Sequence, residues 1–160
     1  MLCWFVLWTG SRAYATDLSV RIFSEKQSAA YVFTTALGVY HIFDSEEQRL
    51  LELQEDQSVV LRVEAENIAV LQGDSLLGVY PSLSLDGEGL KAIFAVYPEG
   101  EAGEVRYYDD HLEVGVENGR LFLVNVVNVE NYVAGVTQSE VRSISDKLAF
   151  YKIQAIIART

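Results

Sequence analysis

Between Gly135 and Val141 the chain reads G-V-T-Q-S-E-V, and Glu140 is the one ionisable side chain in that stretch. Val136 and Val141 lie close to it in sequence, and Arg142 is the nearest charge. A carboxylic acid in partly apolar surroundings holds its proton nearer to neutral pH, which suits general-acid work. Lys152, Gln154 and Arg159 follow on a second helical stretch. Lys152 and Arg159, seven positions apart, project from similar sides of a helix, about 20° out of register. By position alone, a lone Glu between two helical stretches is more often a cap or a surface charge than a catalyst.

Other chemistries lack their residues. His41 and His111 are the only histidines, far apart and without metal-ligand spacing, and read as core or surface histidines. Cys3 is the single cysteine. No nucleophile elbow, phosphate-binding loop or dinucleotide fingerprint is present. The acidic pairs Glu46-Glu47 and Asp109-Asp110, and the run from Glu99 to Glu104, read as solvated loop faces or turns. Twelve basic residues face 23 acidic ones over 160 residues, a net charge of −11. That balance opposes sequence-independent binding to nucleic acid or an anionic membrane, which needs Lys and Arg to neutralise phosphate.

The elements that must position Glu140 begin with a β-rich region. Leu18–Phe23, Tyr31–Thr35, Gly38–Phe43, Ser58–Glu64, Asn67–Gln72 and Ala92–Tyr97 carry alternation or the β-branched and aromatic bias of strands. Gly73-Asp74, Asp86-Gly87 and Pro98-Glu99-Gly100 punctuate them as turns. Leu112–Val116 and Leu121–Val124 flank Asn118-Gly119, the preferred pair for a type I′ hairpin turn. After Asn128 the period changes. Val129, Tyr132, Val133 and Val136 form one helical stripe, with Gly135 placed to let another backbone approach. Ser143 to Asp146 offer N-cap residues for a further helix, whose pattern reaches Thr160 without a C-cap.

Leu2–Trp8 is an apolar core too short to span a bilayer, followed by the cleavage-type triplet Ala13-Tyr14-Ala15. Residues 1–15 therefore read as a shortened signal peptide, lacking the usual basic start; a buried first strand is the competing reading. Cleavage after Ala15 would remove Cys3 and leave an exported chain without thiol chemistry or a transmembrane helix.

The stretch Asn125-Val-Val-Asn-Val-Glu-Asn-Tyr-Val-Ala-Gly-Val136, the pair Ser139-Glu140 and the stretch Lys152-Ile-Gln-Ala-Ile-Ile-Ala-Arg-Thr160 together resemble the SpoIID family, the stage II sporulation protein D and amidase-enhancer domain. The departures are Gln138, where the family has proline, and Val141, often methionine. The resemblance implies peptidoglycan remodelling outside the cytoplasm by a lytic transglycosylase, with Glu140 as the catalytic acid. It also implies Ser139, Lys152, Gln154 and Arg159 as substrate-binding or supporting residues. The partners implied are glycan strands and a cell-wall amidase; the alternatives are a non-catalytic amidase enhancer or peptidoglycan-binding module, and a plain extracytoplasmic β-rich domain. The family's domain continues past the Ala-Arg-Thr stretch, and its reported zinc positions fall in that later part, so no metal ligand and no cofactor is assigned here. The expected fold is α+β: a β-rich region over 16–124, then the helical start of a SpoIID-like catalytic domain over 125–160, incomplete at its C-terminus.

Overall fold

The computed structural model describes residues 17–25, 28–100 and 105–141. The signal at 1–15 and the second helix, with Lys152, Gln154 and Arg159, lie outside these residues. Ten strands occur in chain order: β1 (Asp17–Ile22), β2 (Ala30–Asp44), β3 (Arg49–Leu53), β4 (Ser58–Glu64), β5 (Asn67–Gln72), β6 (Ser75–Tyr80), β7 (Leu83–Pro98), β8 (Arg106–Asp109), β9 (His111–Glu117) and β10 (Arg120–Asn128). One helix, α1 (Val129–Val141), follows β10 directly. The α+β expectation is overturned: the described chain is mostly β, with a single short helix. The cause is pairing, because each of these strands finds an antiparallel neighbour in one sheet and only the residues after Asn128 switch to a helical period.

The sheet runs β1-β10-β9-β7-β2-β4-β5-β6, with β3 beside β2 and β8 beside β7. Its axis is the pair of long strands β2 and β7. Tyr31, Phe33 and Thr35 of β2 point inward, and then Tyr40 and Ile42 do. The inward positions thus change from odd to even along one strand. β7 makes the matching change, from Leu83 and Leu85 to Ala92, Phe94 and Val96. A one-residue slip would expose every apolar side chain beyond it, so each strand needs an irregularity at the same level. The register shifts between Thr35 and Val39, where Gly38 takes φ +84°.

Local signals therefore mislead in this part of the chain. Tyr31–Thr35 and Gly38–Phe43 form one bulged strand rather than two. Asp86-Gly87 is not a turn: the two residues sit inside β7, opposite His41 and Tyr40. Glycine is needed there for space, since a Cβ on Gly87 would lie 2.4 Å from the Ala92 Cβ and 3.0 Å from the Asp110 carbonyl oxygen. The Asn118-Gly119 turn forms as read, with φ +54° and +70° and Arg120 opposite Glu117.

The sheet bends over itself, bringing β10 near β2 and β4 and β9 near β5. Between the layers lies an aromatic cluster. Phe33 stacks on Phe94 at 5.3 Å between ring centroids, and Phe94 on Tyr108 at 5.5 Å. Tyr40 meets Phe33 and Phe94 edge-on at 5.2 and 5.8 Å. Offset and edge contacts of this kind add about 0.5–1.5 kcal/mol each beyond the area they bury. No helix among the described residues is long and apolar enough to cross a membrane.

Candidate functional site

β10 delivers the chain to the site. Its inward positions are Leu121, Leu123, Asn125 and Val127, so one amide replaces an apolar side chain on the core face. Asn125 is 5% exposed, and its Nδ2 donates to the carbonyls of Asp109 at 2.8 Å and His111 at 2.9 Å. A buried amide without those acceptors would cost about 1–3 kcal/mol. Here it fastens the corner between β8 and β9.

Asn128 ends the strand and caps the helix. Its Oδ1 accepts from the Glu130 N–H at 2.9 Å, taking up one of the donors that a helix start leaves unpaired. Its own N–H donates to Asp110 Oδ2 at 2.8 Å. Asn131 Nδ2 donates to the same carboxylate at 3.2 and 3.4 Å. Glu130 supplies the acidic first turn that the helix dipole favours.

The stripe read from the sequence holds where it is described. Val133 is buried, Val129 and Tyr132 are half-buried, and Glu130, Asn131 and Ala134 face solvent. At Gly135 none of the described residues comes within 4 Å of where a Cβ would be. The helix also runs further than the sequence pattern, through Ser139 and Glu140 to Val141. Gln138 keeps the backbone N–H that a proline would lack, so the hydrogen-bond ladder continues through that position. Glu140 thus occupies the last turn of α1 rather than a turn between helices.

The sequence reading missed Asp110 by treating Asp109-Asp110 as a solvated face. Both residues are half-buried at the β8–β9 corner, and Asp110 takes φ +67°, a conformation Asp tolerates better than most residues. The signal was present in retrospect: a short polar break between two strands, at a position suited to positive φ. Burial, with the neighbouring Asp110 charge, raises the Asp109 carboxyl above its usual range, while Lys91 opposes the shift. The Tyr40 hydroxyl donates to the Asp110 carbonyl at 2.7 Å; burial, with Asp110 and Asp109 nearby, holds it far above its ordinary value and therefore protonated.

His41 stands apart from this junction, whereas His111 joins it through its backbone carbonyl. His41 Nε2 lies 3.0 Å from Glu88, and Nδ1 of His111 accepts from the Gly87 N–H at 3.2 Å. The described residues contain no group of three His, Cys, Asp or Glu side chains placed to hold a metal ion. Glu46-Glu47 is exposed in a turn, as read, and Glu99 pairs with Arg62 at 2.9 Å.

No curated protein and no solved structure gives a significant match to this chain. Residues 117–160 match the model of the SpoIID family, described as stage II sporulation protein. The match begins at the Asn-Gly hairpin and takes in β10, the Asn128 cap, α1 and the Lys152–Thr160 stretch, while Asp109, Asp110 and Tyr40 of the junction lie before it. Over that segment the chain is similar to the SpoIID family, a sporulation-related family of proteins.

Proposed function

We propose that the protein remodels peptidoglycan outside the cytoplasm, as a lytic transglycosylase whose general acid is Glu140. The observation that carries this reading is the placement of the Ser139-Glu140 pair in the last turn of a helix capped and anchored at its first turn, within the family-matching segment.

In the proposed step Glu140 passes its proton to the glycosidic oxygen as the bond to the anomeric carbon breaks. A hydroxyl of the same sugar attacks the resulting oxocarbenium-like centre and returns its proton to the carboxylate. One carboxyl then serves where ordinary glycosidases use two. Ser139, Lys152, Gln154 and Arg159 bind the glycan or support the helix end. Export through the 1–15 signal brings the protein to this substrate, and a cell-wall amidase is the proposed protein partner.

The test is digestion of peptide-free glycan strands by the full-length protein and by Glu140→Gln. The wild type releases fragments, and the variant loses at least about a hundredfold in rate, the usual scale for removing a general acid. Equal cleavage by both dismisses Glu140 as the acid. Absence of cleavage by both, with amidase stimulation retained, moves the function to enhancement without catalysis.

A further inference from the structure

We infer that Asp110 is the positioning residue for Glu140, holding α1 at the angle the reaction requires; the inference rests on the reading of Glu140 as the acid. Asp110 joins four elements. Its N–H donates to the Ala92 carbonyl of β7 at 3.1 Å, and its carbonyl accepts from the Tyr40 hydroxyl of β2 at 2.7 Å. Its carboxylate accepts from the Asn128 N–H at the end of β10 and from the Asn131 amide on α1. Asn125 bonds the carbonyls on both sides of it, so the corner that carries the carboxylate is itself fixed.

Apolar packing under the first turns of α1 is thin by comparison. Within 129–135 Val133 is the one buried side chain, and among the described residues the helix packs chiefly against β10 and β1. Among the described residues, the polar joint is what fixes the first turns of α1. The lever is long: at about 1.5 Å rise per residue, a pivot of roughly 10° at Asn128 moves the backbone at Glu140 by about 3 Å. Active-site geometry tolerates about 0.5 Å, and a displacement of about 1 Å can cost about a hundredfold in rate. A residue far from the reacting atoms thereby controls the rate without touching substrate.

The carboxylate can be separated from the backbone it sits on. Asp110→Asn keeps a residue tolerant of positive φ, keeps an acceptor for the Asn128 N–H, and can donate to a flipped Asn131 amide. Asp110→Ala keeps none of these. On glycan strands, Asp110→Ala in the full-length protein lowers kcat by about ten- to a hundredfold with KM within about twofold, whereas Asp110→Asn stays within about threefold of wild type. Asp110→Ala with wild-type kcat, or an equal loss in both variants, overturns the inference. Should Asp110→Ala not fold, Asn131→Ala at an exposed position carries the test: a kcat about two- to fivefold lower supports the role, and an unchanged kcat overturns it. Amide exchange distinguishes this failure from that of the Glu140 reading. Where the wild type cleaves no glycan, faster exchange at Asn128 and through the first turns of α1 in Asp110→Ala, but not in Asp110→Asn, still supports the joint, and equal exchange in all three proteins refutes it.

Discussion

The β2–β7 axis and the β10–α1 junction solve opposite problems. Along the axis, Phe33, Tyr40, Phe94 and Tyr108 fill the space between the layers, and the bulge at Gly38 keeps both strands' apolar side chains facing it. Burial there is non-directional and resists unfolding, yet it says little about the angle at which any one element leaves the sheet. At the junction the order is reversed. Asn125, Asn128, Asn131 and Asp110 contribute directional bonds to a helix start with one buried apolar side chain, Val133, among residues 129–135. Apolar burial is concentrated in one region and directional bonding in the other, so the largest stability loss is expected on the axis and changes of helix orientation at the junction.

The largest effect is expected from the aromatic cluster. Phe94→Ala removes a ring that touches three others and should destabilise the fold by about 3–5 kcal/mol, read from the midpoint of chemical denaturation. Gly87→Ala comes next. Its new methyl meets the Ala92 Cβ and the Asp110 carbonyl, and should cost about 1–3 kcal/mol. Adding Ala92→Gly removes the tighter of those contacts and should recover part of the loss; no recovery would place the strain elsewhere. Asn125→Ala leaves the Asp109 and His111 carbonyls without that donor and should also cost about 1–3 kcal/mol, with faster amide exchange around the β8–β9 corner.

Smaller still is a pH effect. The folded state raises the Asp109 carboxyl, so the native protein holds a proton there more tightly than the unfolded chain. Stability from this group is therefore present below the ordinary carboxylate range and falls as pH rises through the raised value. Asp109→Asn should flatten that fall and be slightly more stable than wild type at neutral pH, measured by denaturation across the acid range. Arg62→Ala breaks an exposed pair with Glu99 and should change stability by less than about 1 kcal/mol, an effect that shrinks further in salt.

The same contrast explains what could be read from the chain alone. Short-range rules sufficed where a feature is built from adjacent residues. Asn118-Gly119 demands its turn, the alternation of Val59, Leu61 and Val63 within Ser58–Glu64 makes β4, and the stripe from Val129 to Val133 makes the start of α1. They failed where pairing between distant segments decided. Asp86-Gly87 reads as a turn until β2 lies beside it, and Ser75–Tyr80, without alternation or charge, becomes β6 only through pairing with β5. Arg49–Leu53 and Arg106–Asp109 are likewise strands because β2 and β7 offer them edges. At the site, the start of the helix that leads to Ser139-Glu140 was legible because its stripe is local. Asp110 was not, since its partners Tyr40, Ala92, Asn128 and Asn131 come from across the chain and its own neighbours resemble any polar loop.

The most direct test of the central claim is to digest glycan strands in ¹⁸O-labelled water with the full-length protein and weigh the fragments that carry the cleaved anomeric carbon. If Glu140 hands its proton to the leaving oxygen while the sugar's own hydroxyl closes on the anomeric carbon, the fragments carry no label and vanish with Glu140→Gln. Labelled fragments would show water as the attacking group, and release that persists in the variant would show that the proton comes from elsewhere.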